Sequence, residues 1–163
     1  MIVLVGFMGA GKTTVGRLLA AKLGVPFCDS DHVIEDRAGK PIRQIFTDDG
    51  EPAFRQLEHD VIADLLRSED LVLALGGGAV EHARTRALLC AVPVAYLRVS
   101  YAEAVTRVGG DGGRPMLARP DITEVYEQRQ SAYAQVATIA VDVDGRAPED
   151  ISIDILTRLE EAS

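Results

Sequence analysis

Three stretches of this chain carry residue types at spacings suited to chemistry on an anion. The first is Gly6-Phe7-Met8-Gly9-Ala10-Gly11-Lys12-Thr13-Thr14, which contains G-x-x-x-x-G-K-[ST]. Glycines let the backbone turn tightly with its N–H groups inward, forming a nest for a polyphosphate. The Lys12 ammonium can reach the β- and γ-phosphates, and the Thr13 hydroxyl can ligate Mg²⁺. A following helix would aim its positive end at the same anion. The plain alternative is a Gly-rich turn that joins a strand to a helix.

The second stretch is Asp29-Ser30-Asp31, two carboxylates two residues apart. One can hold Mg²⁺ directly or through water, and the other can take or orient an acceptor's hydroxyl proton. The alternative is a helix N-cap, a task suited to Ser30 or Asp31. The third is Phe54-Arg55-Gln56-Leu57-Glu58, which puts Arg55 and Glu58 on one helix face. This is either a surface ion pair of small energetic weight or a guanidinium fork, fixed by Glu58, that grips an anionic substrate.

Two glycine-rich segments add to these. Gly76-Gly77-Gly78 suggests a close backbone approach to a ligand where a strand becomes a loop, or else a flexible turn. Residues 109–120 form a Gly/Pro-rich stretch with Arg114 and Arg119. A loop of that length reads as a lid whose arginine could reach transferring phosphates, or as a disordered surface segment.

The elements that must position these residues alternate. Ile2–Val5 reads as a short buried strand, and Val15, Leu18, Leu19 and Leu23 recur at helical spacing after Lys12. Strands are expected at 26–29, 71–75, 92–99 and 138–143. Helices are expected at 31–39, 41–46, from 51 to about 66, 81–89, 101–108 and 121–136, with a turn at 47–50. The helix from Glu51 should bury a stripe of Phe54, Leu57, Val61 and Leu65, joined by Ile62 and Leu66. Residues 148–161 suit a last helix, although Ile151-Ser152-Ile153-Asp154-Ile155 alternates like a strand. Strands alternating with helices imply βαβ units and a central parallel sheet with helices on both faces. Ligands then bind outside the carboxyl ends of the strands, where the Gly6–Thr14 loop, Asp29 with Asp31, and the glycine triplet fall.

Bulk properties narrow the function. The 163 residues make one domain, 47% hydrophobic and 26% charged. No stretch approaches the ~20 apolar residues of a membrane span. The N-terminal strand runs straight into the glycine loop, unlike a signal peptide, so a cytoplasmic protein is expected. A net charge of −8 argues against nucleic-acid and anionic-membrane partners. Cys28 and Cys90 read as reduced core residues, and His32, His59 and His82 show no metal-ligand spacing. Arginines outnumber lysines fourteen to three, so converging arginines can still build a local anion site.

Taken in order, Gly6-x-x-Gly9-x-Gly11-Lys12-Thr13, Asp29-x-Asp31, Phe54-Arg55-x-x-Glu58, Gly76-Gly77-Gly78-Ala79-Val80 and Arg114-Pro115-Met116-Leu117 resemble the shikimate kinases over nearly the whole chain. The resemblance implies a three-layer α/β fold like that of the nucleoside monophosphate kinases, with a five-stranded parallel sheet and a mobile lid at about 109–120. It implies Mg²⁺- and ATP-dependent phosphorylation of the 3-hydroxyl of shikimate, on the route to chorismate and the aromatic amino acids. Gly9, Ala10, Gly11, Lys12, Thr13 and Thr14 would hold the ATP phosphates. Thr13 would ligate Mg²⁺, and Asp29 would serve it from the outer shell. Asp31 would bind the acceptor hydroxyl and act as base.

In the same resemblance, Arg55 and Arg129 would clamp the shikimate carboxylate, with Glu58 fixing Arg55 and Gly76, Gly77 and Gly78 lining the ring. The acceptor-binding helical region would span about 31–62. Arg114 would be the lid arginine, and Arg107 and Arg146 adenine-side contacts. The lid carries Met116 where the family usually has leucine, and Gln130-Ser131-Ala132-Tyr133 lacks a proline often found after the arginine. A monomer is expected. The alternatives are a related small-metabolite kinase, such as a gluconate kinase, and an ATP-binding regulatory module without catalysis.

Overall fold

A computed structural model describes residues 1–109 and 119–163 of the chain. Five strands form one sheet: β1 (Ile2–Val5), β2 (Phe27–Asp29), β3 (Val72–Ala74), β4 (Val94–Arg98) and β5 (Ile139–Asp142). They lie in the order β2-β3-β1-β4-β5, and every neighbouring pair is parallel. β1, β3 and most of β4 are buried, as their unbroken apolar runs require of a parallel sheet covered on both faces.

The helices are α1 (Lys12–Leu23), α2 (Ser30–Ala38), α3 (Ile42–Asp49), α4 (Glu51–Leu65), α5 (Ala83–Leu89), α6 (Tyr101–Gly109), α7 (Ile122–Val136) and α8 (Pro148–Ala162). A short 3₁₀ turn spans Ala79–Glu81. One core gathers the sheet with α1, α7 and α8. A second, smaller core of Ile34, Ile45, Phe54 and Val61 unites α2, α3 and α4. The helical region expected at about 31–62 is thus a compact unit with its own apolar centre.

Local details depart from expectation in instructive ways. Residues 47–49 complete α3 rather than forming a turn, and Gly50 ends the helix with φ +83°. The 151–155 segment is helical, with Ile151, Ser152 and Ile155 buried and Ile153 exposed. α4 buries Phe54, Val61 and Ile62 as expected. It also buries Glu58 and His59, while Leu57 and Leu65 are only partly covered. Cys90 is exposed and Cys28 half-buried, so neither is the core thiol expected. Asp29, rather than Ser30 or Asp31, caps α2: its carboxylate accepts the Asp31 N–H at 2.9 Å.

β1 delivers the glycine loop at a point with no room to spare. A Cβ on Gly6 would stand 2.6 Å from the backbone carbonyl oxygen of Leu97 in β4. A backbone oxygen cannot swing away as a side chain can. We therefore expect Gly6→Ala to cost about 1–3 kcal/mol, as overpacked sites do, and to lower the melting temperature by several degrees. An unchanged melting temperature would mean the two strands can separate there without cost.

Candidate active site

Two cavities open at the carboxyl edge of the sheet. One, of about 670 Å³, is bounded by the Gly9–Thr14 loop and by Asp29, Asp31, Arg107 and Arg146. The other, of about 550 Å³, is bounded by Phe54, Arg55, Glu58, Gly76, Gly77, Gly78 and Arg129. Among the described residues they meet at Met8, Asp31, Gly76 and Gly77, of which Asp31 is the ionisable one.

The first cavity is built to receive an anion. Gly9 and Gly11 adopt φ of +80° and +88°, values that side chains rarely tolerate. Gly11 offers α1 no side-chain cap, so the helix's first N–H groups point into the loop. Lys12 Nζ donates to the carbonyls of Gly6 at 2.7 Å and Phe7 at 3.2 Å. Those bonds hold the ammonium against the start of the loop. Arg107 braces the outer wall, donating to the Gly9 carbonyl at 3.0 Å and the Val143 carbonyl at 3.4 Å. Arg146 is tied to Asp154 at 2.9 Å.

Thr13, Asp29 and Asp31 share this cavity. Among the described residues no group of three or more His, Cys, Asp or Glu side chains could hold a metal by itself. One hydroxyl and one or two carboxylates beside a phosphate nest are nevertheless the donor set that Mg²⁺ uses when phosphates complete its shell. The residues present fit that ion.

Asp31 sits at the junction on α2, directly after the strand that carries Asp29. Burial, with the neighbouring Asp29 charge, raises its pKa above the ordinary carboxylate value, while Lys12 and Arg55 pull the other way. The backbone fits tightly around it. A Cβ on Gly76 would lie 2.6 Å from Asp31 Oδ1, and one on Gly78 only 2.2 Å from Arg55 Nη2. A side chain at Gly76 would displace the Asp31 carboxylate, and one at Gly78 the Arg55 guanidinium. Ser30 Oγ, which sequence reasoning treated only as a possible cap, accepts the Gly76 N–H at 3.2 Å and holds that loop to α2.

The second cavity is lined by guanidinium groups. Arg55 Nη1 donates to Glu58 Oε1 at 2.8 Å, with Glu58 buried beneath it. This pair is largely buried rather than a solvated surface pair. Arg129, buried on α7, donates through Nε to Glu81 Oε1 at 3.0 Å. Tyr133, one turn further along, donates its hydroxyl to the Gly77 carbonyl and ties α7 to the glycine triplet. Arg43 and Arg119 also reach this cavity, and Arg119 pairs with Asp121 at 2.7 Å. Glu81 and Arg43 lie outside the expected set, and Arg119 enters it only as part of the lid. No periodicity relates residue 81 to residues 55 and 129; only the fold does. Arg114 and most of the expected lid lie outside the described residues.

A model of the shikimate kinase family matches residues 8–160. The chain is 49% identical over 160 residues to the shikimate kinase of Salinispora arenicola, covering 96% of each sequence. It is 47% identical over 162 residues to that of Mycobacterium tuberculosis, covering 97% of this chain and 92% of the relative. It superposes on the shikimate kinase of Acinetobacter baumannii, solved in complex with shikimate, with a TM-score of 0.92. That match has 38% identity and covers 98% of this chain and 92% of the other.

Glu58 generates a pH signature of its own. Burial outweighs the attraction of Arg55 and pushes its pKa up to about 7. In the unfolded chain it titrates near the ordinary 4.5. Between those values the folded state binds the proton more tightly, so this group's contribution to stability is largest at low pH. It falls as pH rises toward 7. We expect the melting temperature of wild type relative to Glu58→Gln to decline from about pH 4.5 to about pH 7 and then level. A difference rising with pH would show that the ion pair, not burial, governs Glu58.

Proposed function

The chain belongs to the shikimate kinase family, and on that premise we propose how its own residues divide the work of moving a phosphoryl group from ATP to the 3-hydroxyl of shikimate. The enzyme is an ATP-dependent kinase of the shikimate pathway. The observation that carries the division is the meeting of the two cavities at Asp31. A donor on one side and an acceptor on the other would have this acid between them.

In this reading the Gly9–Thr14 backbone and Lys12 hold the ATP phosphates, and Arg107 and Arg146 flank the adenine side. Thr13 would hold Mg²⁺, with Asp29 serving it from the outer shell. Bound there, the ion supplies positive charge that offsets the charge developing on the phosphates. Arg55 and Arg129 take the shikimate carboxylate, Glu58 fixes Arg55, and Gly76, Gly77 and Gly78 let the ring lie against the backbone. The acceptor hydroxyl then rests at Asp31, whose raised pKa suits it to accept a proton as the oxygen attacks. A loose phosphoryl transition state needs positioning and positive charge more than a covalent nucleophile. Arg114 would bring further charge from the lid. The same reading takes the enzyme as a cytoplasmic monomer acting on dissolved small molecules.

ADP release from Mg·ATP, measured with shikimate, with gluconate and with no acceptor, tests the acceptor class. Release with shikimate alone is expected. Release with gluconate alone would reassign the arginine cavity to another acid, and no release alongside normal ATP binding would leave a regulatory module. Within the site, Asp31→Asn should lower kcat by roughly 10²–10⁴, the range for loss of a general base, while ATP binding survives. Near-normal turnover would remove Asp31 from the proton's path.

A further inference from the structure

Arg55 and Arg129 come from separate helices, α4 and α7, and two guanidiniums drawn toward one small carboxylate repel each other until it arrives. A single side chain bridges them. Glu81 Oε1 accepts from Arg129 Nε at 3.0 Å, and Glu81 Oε2 lies 3.3 Å from Arg55 Nη2. Arg55 and Arg129 line the acceptor cavity and Glu81 does not. The bridge is therefore made outside the lining of that cavity.

The backbone under Glu81 is itself held. It ends the 3₁₀ turn that follows the glycine triplet, and its N–H donates to the Gly78 carbonyl at 3.0 Å. Arg86 Nη1 donates to the carbonyls of Val80 at 2.7 Å and Glu81 at 3.0 Å. The turn that presents glycine backbone to the acceptor thus also fixes the carboxylate that spaces the two arginines. With Nε taken by Glu81, Arg129 extends Nη1 along the Gly77 backbone, 3.5 Å from where a Cβ on Gly77 would stand. With Nη1 on Glu58 and Nη2 by Glu81, the guanidinium of Arg55 is held from two sides.

We propose that Glu81 is a positioning residue that holds Arg55 and Arg129 at the separation a single acceptor carboxylate requires. Preorganisation of this kind removes the ordering and repulsion that binding would otherwise have to overcome. The inference rests on the assignment of these arginines as the carboxylate clamp. It makes Glu81 a determinant of affinity for acidic acceptors specifically, not of phosphoryl transfer or of nucleotide binding.

The test compares wild type, Glu81→Gln and Arg129→Ala with two acceptors, shikimate and its neutral carboxamide, by steady-state kinetics on the full chain. Glu81→Gln keeps the side-chain size and removes the charge. Coupling energies of contacting groups correspond to a KM for shikimate raised roughly five- to fiftyfold. The kcat, the KM for ATP and the kcat/KM for the carboxamide should stay within about twofold of wild type. Equal losses on both acceptors would make Glu81 merely structural. A lowered KM would make it a built-in competitor of the substrate carboxylate. An unchanged KM would remove it from the site, and each of these three results overturns the proposal. Arg129→Ala separates the premise from the inference. If that variant leaves the KM for shikimate intact, the clamp itself is wrong. If it raises that KM while Glu81→Gln does not, only Glu81's role fails.

Discussion

Arg55 lies between two carboxylates, Glu58 at 2.8 Å and Glu81 at 3.3 Å, and the cavity beside α4 is shaped around that arrangement. A guanidinium held this far out of water is costly without partners. Glu58 provides one from beneath, at the burial cost that raises its own pKa. Glu81 provides the other and ties in Arg129. At Gly78 the Arg55 guanidinium occupies the space a side chain would fill, so a larger residue there would push the guanidinium out of this arrangement. The apolar floor of Phe54 and the α2–α4 core keep α4 in place, so the charge network is supported from below by ordinary packing.

The sheet supplies the rest of the order. Because all neighbouring strands are parallel, their carboxyl ends open on one edge. β1 ends in the phosphate loop, β2 in Asp29 and β3 shortly before the glycine triplet. Three segments far apart in the chain are thereby brought to one junction without any of them having to be long. The strands are short, and the precision comes from contacts between loops. Examples are Ser30 on the Gly76 N–H, Tyr133 on the Gly77 carbonyl and Arg107 on the Gly9 carbonyl.

The sequence made the strand-and-helix order, the phosphate loop, the paired aspartates and the arginine–glutamate pair legible, because each is a local pattern tied to a local geometry. It left the choice between fork and surface pair open at Arg55, since that depends on what covers α4. Glu58 and His59 look like polar punctuation in an apolar stripe; burial by α5 and the 3₁₀ turn decides otherwise. His59 stacks on His82 at 4.9 Å and meets Thr85 at 3.0 Å, contacts no spacing rule could reveal. Glu81 is the clearest case. Its role depends on α4 and α7 converging on one turn, which is tertiary information. The extra helical turn at 47–49 was hidden because Thr, Asp and Asp favour turns locally, while Gly50 sets the true end of α3.

The most direct test of the account is a crystal structure of the protein with Mg·ADP and shikimate bound. The account predicts the shikimate carboxylate between Arg55 and Arg129, Glu81 still bridging them, and the 3-hydroxyl within hydrogen-bond distance of Asp31. A carboxylate seated on Arg43 or Arg119 instead, with the hydroxyl away from Asp31, would contradict it.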